Sequence, residues 1–197
     1  MRYIILTICV LVTSCKLLFE CPDSERIYTI KPGTFNCTPV IINSGNSDYP
    51  SGHWQIELLE GWDYILSSNQ SQWLKLCGET FNVLSNNNNL VALGVRHYKN
   101  KIEISPYYNR NGEQWYWEKR KDESWPIVEV KQNEKIDFGY YTDDSDNIYV
   151  IIDHNSSVYY HTFSIPHKRY WREVNFYGGG SVLPTKKLII KKRRFCD

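Results

Sequence analysis

No stretch of about 20 consecutive apolar residues, the length a helix needs to cross a bilayer, occurs in this chain of 197 residues. Stable membrane insertion is therefore not expected. The chain also lacks a Gly-x-Ser-x-Gly elbow, an HExxH pair and a phosphate-binding glycine loop, which excludes the commonest sequence signatures of hydrolase, metalloprotease and nucleotide chemistry. Almost nothing follows helical spacing. The cysteines form no CxxC pair and show no zinc spacing. Asp143-Asp144-Ser145-Asp146-Asn147 superficially looks like a calcium loop, but it has no glycine at the sixth position, and His154 stands where the bidentate Glu belongs. It reads as a solvated hairpin turn. His154, His161 and His167 have neither a partner cysteine nor a tight spacing, so no metal is expected. No catalytic group, cofactor or nucleic-acid partner is expected either.

What is present starts with an apolar leader. Met1 to Ser14 reads MRYIILTICVLVTS, with one early Arg, an apolar run from Ile4 to Val12 and then small residues. That is the pattern of a signal peptide covering residues 1–15, and it implies a secreted, extracellular protein. Three Asn-x-Ser/Thr triplets, at Asn36, Asn69 and Asn155, agree with a glycosylated secretory chain. Of six cysteines, Cys9 and Cys15 fall in or beside the leader. Cys21, Cys37, Cys77 and Cys196 remain, enough for two disulfides in three connectivities. The pairing expected is Cys21–Cys37 with Cys77–Cys196.

The rest reads as strand. Apolar residues recur at period two in Ile102/Ile104, Ile136/Phe138/Tyr140, Ile148/Val150/Ile152, Val158/Tyr160 and Val174/Phe176. β-branched and aromatic residues dominate these runs. Leu90-Val91-Ala92-Leu93 suits a strand covered on both faces, and Leu188-Ile189-Ile190 a closing strand. Turn formers separate them at Asn86–Asn89, Asn111-Gly112, Asp143–Asn147, Asn155–Ser157 and Gly178–Gly180. Roughly ten short strands at this spacing predict an all-β, antiparallel two-sheet β-sandwich. Residues 16–50, with four prolines, are expected as a disulfide-linked N-terminal extension, residues 51–192 as the sandwich and 193–197 as a basic C-terminal tail. Thr185–Asp197 holds six cations against Asp197, whereas the whole chain carries a formal charge of only +1. Its basic end is expected to be solvated after the last strand. Binding to acidic glycans and dibasic processing are the other readings.

The centre of the chain resembles a known family. Asn89–Arg120 reads NLVALGVRHYKNKIEISPYYNRNGEQWYWEKR, similar to the middle of a galectin carbohydrate-recognition domain. There an apolar strand with His-x-Asn-x-Arg is followed by a strand ending in Asn, then by Trp-x-x-Glu-x-Arg. The last element is present as Trp115, Glu118 and Arg120. Trp125-Pro126-Ile127 resembles the family's Phe-Pro-Phe, and Phe163 to Arg169 its Phe-x-His-Arg segment. The likeness covers about Ser51–Lys192 and implies a galectin-like jelly roll. It departs at the sugar contacts: Leu93, Val95 and His97 stand where the family has His, Asn and Arg, and Ser105 where it has Asn.

The resemblance therefore implies a lectin-like protein for glycans or glycoproteins with weakened or altered β-galactoside specificity. Its ligand-binding residues would be Trp115, Glu118, Arg120, His97 and Ser105. Glu118 and Arg120 lie two apart and share a strand face. Trp115 joins that face only through a bend at Asn111–Gln114. An ordinary surface ion pair beside a core tryptophan is the other reading. The alternative function is a protein–protein module with a protein partner, on the same sandwich and with no sugar binding.

Overall fold

Period-two alternation becomes strand along most of the chain. The computed structural model describes residues 25–34, 37–38, 43–62, 73–82, 88–116, 125–166, 169–174, 177–178 and 184–195. The leader, Cys21, Cys196, Asn36, Asn69, His167, Glu118 and Arg120 lie outside them. The described strands are β1 (Glu25–Ile30), β2 (Cys37–Thr38), β3 (Ser44–Asn46), β4 (Ser51–Glu60), β5 (Leu74–Thr80), β6 (Leu90–Tyr98), β7 (Lys101–Arg110) and β8 (Glu113–Trp115). They continue with β9 (Val128–Val130), β10 (Lys135–Thr142), β11 (Asn147–His154), β12 (Ser157–Ser164), β13 (Tyr170–Glu173), β14 (Tyr177–Gly178) and β15 (Leu188–Phe195).

These strands form two antiparallel sheets, as expected for an all-β sandwich. A seven-stranded sheet runs β12-β11-β10-β4-β15-β1-β2. An eight-stranded sheet runs β3-β13-β5-β6-β7-β8, with β14 also on β5 and β9 also on β7. Trp54, Ile56, Leu58, Ile136, Phe138, Ile148, Val150 and Ile152 of the first sheet meet Leu74, Leu76, Val91, Leu93, Val95 and Ile104 of the second in one core. Each such side chain contributes about 1.5–3 kcal/mol by leaving water. A smaller cluster of Trp73, Leu90, Ala92, Tyr107 and Val174 covers the far side of the eight-stranded sheet, which is why β6 is buried on both faces.

The N-terminal segment is part of the sandwich rather than an appendage. β1 and β2 close one side of the seven-stranded sheet, and β3 closes the other sheet on β13. Six residue pairs join β1 to β15, so strand pairing ties this segment to the domain. No disulfide is formed among the described residues. Cys37 is buried, and Cys77 is a fully buried thiol that burial pushes well above its ordinary pKa. The expected partners in both bridges, Cys21 and Cys196, lie outside the described residues, and the Cys77 side chain is a packing element of the core.

The basic end is likewise not a solvated tail. β15 runs to Phe195, through the boundary expected at residue 193, with its side chains alternating between buried and half-buried. Lys192 and Arg194 point between the sheets. There they meet Glu79 of β5 and Glu173 of β13. Lys192 Nζ lies 2.6 Å from Glu173 Oε1, and Arg194 Nη1 3.4 Å from Glu173 Oε2. Arg194 Nη2 and the Tyr140 hydroxyl both donate to Glu79. Trp54 Nε1 and Asn43 Nδ2 donate to Glu173 at 3.3 and 2.6 Å. One sheet thus supplies both carboxylates and the other both cations, so the network ties the two layers together.

A β-bulge makes that meeting possible. The pairing of β5 with β6 shifts between Lys75 and Cys77, so Leu74 and Leu76 face the core before the bulge, and Cys77 and Phe81 after it. Glu79 follows the second parity. Gly78 sits at φ 147°, and a Cβ there would fall 2.1 Å from the Val91 carbonyl oxygen, so only glycine fits the distorted strand.

Candidate functional site

On the outer face of the seven-stranded sheet the side chains form a regular grid. One row across the strands is Gln55, Asp137, Asp153 and Val158. The next is His53, Gly139, Ile151 and Tyr160, and the third Ser51, Tyr141, Tyr149 and Thr162. Gly139, near the middle of this grid, has no side chain, and the space becomes the floor of an open groove of about 430 Å³. No crowding demands the glycine: an added Cβ would come no closer than 3.6 Å to the Gly52 carbonyl oxygen and 4.0 Å to His53. Glycine in an interior strand costs stability, and where packing does not require it, it marks a place where another molecule can approach the backbone.

The walls differ in chemistry. On one side stands Tyr141, on which Tyr149, outside the lining, stacks with centroids 4.7 Å apart and planes 11° apart. Tyr149 is held by its hydroxyl, which donates to Asp143 at 2.9 Å. Asp143 also accepts from the backbone N–H groups of Ser145 and Asn147. These bonds, the Asn147 side chain foremost, hold the Asp143 carboxyl down at about 2. The acidic segment 143–147 is thus a hairpin turn, and it also anchors the aromatic wall. On the opposite side stand Asp137 and Asp153, directly across from each other on β10 and β11. Gln55 Nε2 donates to both Asp137 oxygens at 3.3 and 3.4 Å, and His53 Nε2 lies 3.6 Å from Oδ1. His53 stacks in turn on Phe195 at 4.5 Å. The flanking Tyr160 is 68% exposed. Flat apolar rings, carboxylate acceptors and an imidazole converge on one backbone notch, which is equipment for holding a small polar ligand with an apolar face.

The described residues among those singled out from the sequence lie elsewhere. On β6 the odd-numbered side chains face the core, so Leu93 and Val95 pack between the sheets and His97, opposite Ile102, shares their parity. The residues that reach the outer face of that sheet are Ala92, Gly94 and Arg96. A placement off by one residue turns every side chain to the opposite face. Arg96 does form a guanidinium–carboxylate pair, with Glu103 at 2.6 Å. Trp73 and Tyr98 each lie 4.5 Å from its guanidinium. The Arg96 and Glu103 side chains are only 4% and 14% exposed, which closes the pair to a ligand. Ser105 is fully buried, donating to the Pro126 carbonyl at 2.8 Å and accepting from Trp125 Nε1 at 3.1 Å. Trp115 packs against the main core and stacks on Tyr108 at 5.4 Å. Asn155 sits at the exposed tip of the β11–β12 hairpin. Among the described residues no group of three His, Cys, Asp or Glu is placed to hold a metal.

The groove escaped the sequence reading because its residues are the polar positions between the apolar ones used to recognise strands. One signal was available: a glycine inside the alternating run Ile136–Tyr141.

No family model matches the chain, and no curated protein matches it. Solved structures do share its architecture. A Saccharomyces cerevisiae protein of unknown function aligns with a TM-score of 0.53 at 7% identity, over 85% of this chain and 83% of that one. A Bacillus licheniformis β-glucanase aligns at 0.51 with 12% identity, over 88% and 78%. The winged bean acidic lectin, solved with methyl-α-D-galactose, aligns at 0.43 with 8% identity, over 88% and 81%. At these identities the first two show the fold this chain has: a two-sheet β-sandwich of a kind found among proteins with unrelated sequences.

Proposed function

We propose that this chain is a secreted, lectin-like β-sandwich protein that binds glycans or glycoproteins reversibly in the groove over Gly139 and catalyses no reaction. The observation that carries the reading is an unforced glycine notch flanked by a stacked tyrosine pair and two carboxylates. A pyranose ring presents a CH-rich face that packs on aromatic rings, and its hydroxyls donate to carboxylates. The leader-like residues 1–15 and the exposed Asn155 sequon support the secretory part. β-Galactoside recognition through positions 93, 95 and 97 is not part of this reading, since those side chains face the core.

A glycan array on protein produced through a secretory route tests it. Binding of a subset of glycans is expected. Gly139→Val, which fills the notch with a good strand former, should reduce it more than tenfold. Tyr141→Ala should cost about 1–3 kcal/mol of binding, as an anchor aromatic does. Capture of a glycoprotein that persists after its glycans are removed would show a protein-recognition module instead. Enzymatic deglycosylation should lower the mass of the secreted chain, and an unchanged mass would remove the sequon support.

A further inference from the structure

We propose that the groove selects saccharides bearing a protonated amine, that is, amino sugars with a free ammonium, over neutral or acidic sugars. This rests on the reading of the groove as a saccharide site. Asp137 and Asp153 face each other across neighbouring strands, a relation in which like charges repel. Among the described residues, the side chains that contact the Asp137 carboxylate are His53 and Gln55. Asp153 is exposed, and no lysine or arginine among the described residues forms an ion pair with either carboxylate. Two cations stand in this row and the next of the grid. Arg193 lies beyond Gln55 with its guanidinium 4.7 Å over the Phe195 ring, and Lys135 stands opposite Glu57.

The missing counter-charge is most naturally brought by the ligand. An ammonium donates charge-assisted hydrogen bonds to carboxylates and is attracted to tyrosine faces, and the groove offers both. A metal ion would need a third donor, which the described residues do not place there. A pyranose body fits the rest: its apolar face packs on Tyr141, which Tyr149 backs, while a substituent drops into the notch at Gly139. The two aspartates thus convert a generic sugar platform into one selective for charge.

Calorimetry on the secreted protein, with β-1,4-linked glucosamine oligomers and the same oligomers N-acetylated, decides the matter. At least a tenfold preference for the free amine is expected, shrinking below twofold in Asp153→Asn. An oligomer of uronic acids should bind more weakly than either. Equal affinity for the two glucosamine forms, or a preference that survives Asp153→Asn, overturns the amine selectivity. The groove reading still stands in that case, provided Gly139→Val weakens both ligands. If no saccharide binds, or if Gly139→Val leaves binding intact, the groove reading falls and the selectivity with it.

Discussion

Two pairs of carboxylates lie on opposite sides of one sheet layer, and the chain treats them differently. Glu79 and Glu173 sit between the sheets, where Lys192 and Arg194 of β15 neutralise them. Asp137 and Asp153 lie on the outer face of the seven-stranded sheet, directly opposed, with a histidine and an amide for company. Burial explains the contrast. A carboxylate without a partner in a low-dielectric interior costs several kcal/mol, so a folded chain must bring its own cations there. At the surface, two like charges 4 Å apart in water repel by only about 1 kcal/mol. An uncompensated pair can be kept there at small cost for a ligand to complete.

The comparison is broken most forcefully from the inside. Lys192→Met leaves Glu173 buried without its closest cation and should lower stability by about 3–5 kcal/mol in urea denaturation. Replacing Glu173 by Leu in the same chain should recover part of that loss, because both desolvated charges are then gone. Trp115→Ala should cost about 2–3 kcal/mol of stability, less than a fully buried tryptophan does. It should leave glycan binding intact, which separates a core-edge ring from a sugar platform.

Proton linkage sharpens the contrast further. Burial raises the Glu79 carboxyl to about 7 despite the nearby Arg194. An acid with a raised folded-state pKa binds its proton more readily folded than unfolded. Its stabilising contribution is present below about 4.5 and is lost as pH rises to about 7. Stability measured from pH 5 to pH 8 should therefore carry a falling component that disappears in Glu79→Gln. Glu173 behaves oppositely. Burial pushes its carboxyl up, but Lys192, Arg194 and the hydrogen bonds outweigh this and hold it below the usual value. Its contribution is present above about 4.5 and is lost as pH falls through the depressed value.

The outer pair should answer weakly in stability and strongly in binding. Gly139→Val should raise stability by up to about 1 kcal/mol, since the wild-type glycine gains nothing from packing, while binding is lost. Asp153→Asn should change stability least, stabilising by no more than about 0.5 kcal/mol through relief of repulsion. A large destabilisation by either substitution would place these residues in the architecture rather than in a site.

Period-two alternation in runs such as Ile136/Phe138/Tyr140 and Ile148/Val150/Ile152 determined by itself that the chain is all-β, antiparallel and layered. Only one face of each strand can leave water, and the sequence spells out which. The same alternation in Leu188–Phe195 contains the hint that Lys192 and Arg194 follow Leu188 and Ile190 inward, but four cations in succession read locally as a solvated end. Only tertiary structure could decide otherwise, because the partner of Arg194 is Glu79, 115 residues away. Glu79 itself faces inward through the bulge at Lys75–Cys77, which changes parity in mid-strand without any change of composition. Facing direction also placed Leu93, Val95 and His97 in the core and Arg96 outside, a difference of one residue that pattern matching does not resolve. The groove arose in the same way. A glycine, two tyrosines and two aspartates from β10 and β11 are ordinary residues in order of sequence, and they come together as the proposed site only when antiparallel pairing sets them side by side on one exposed face.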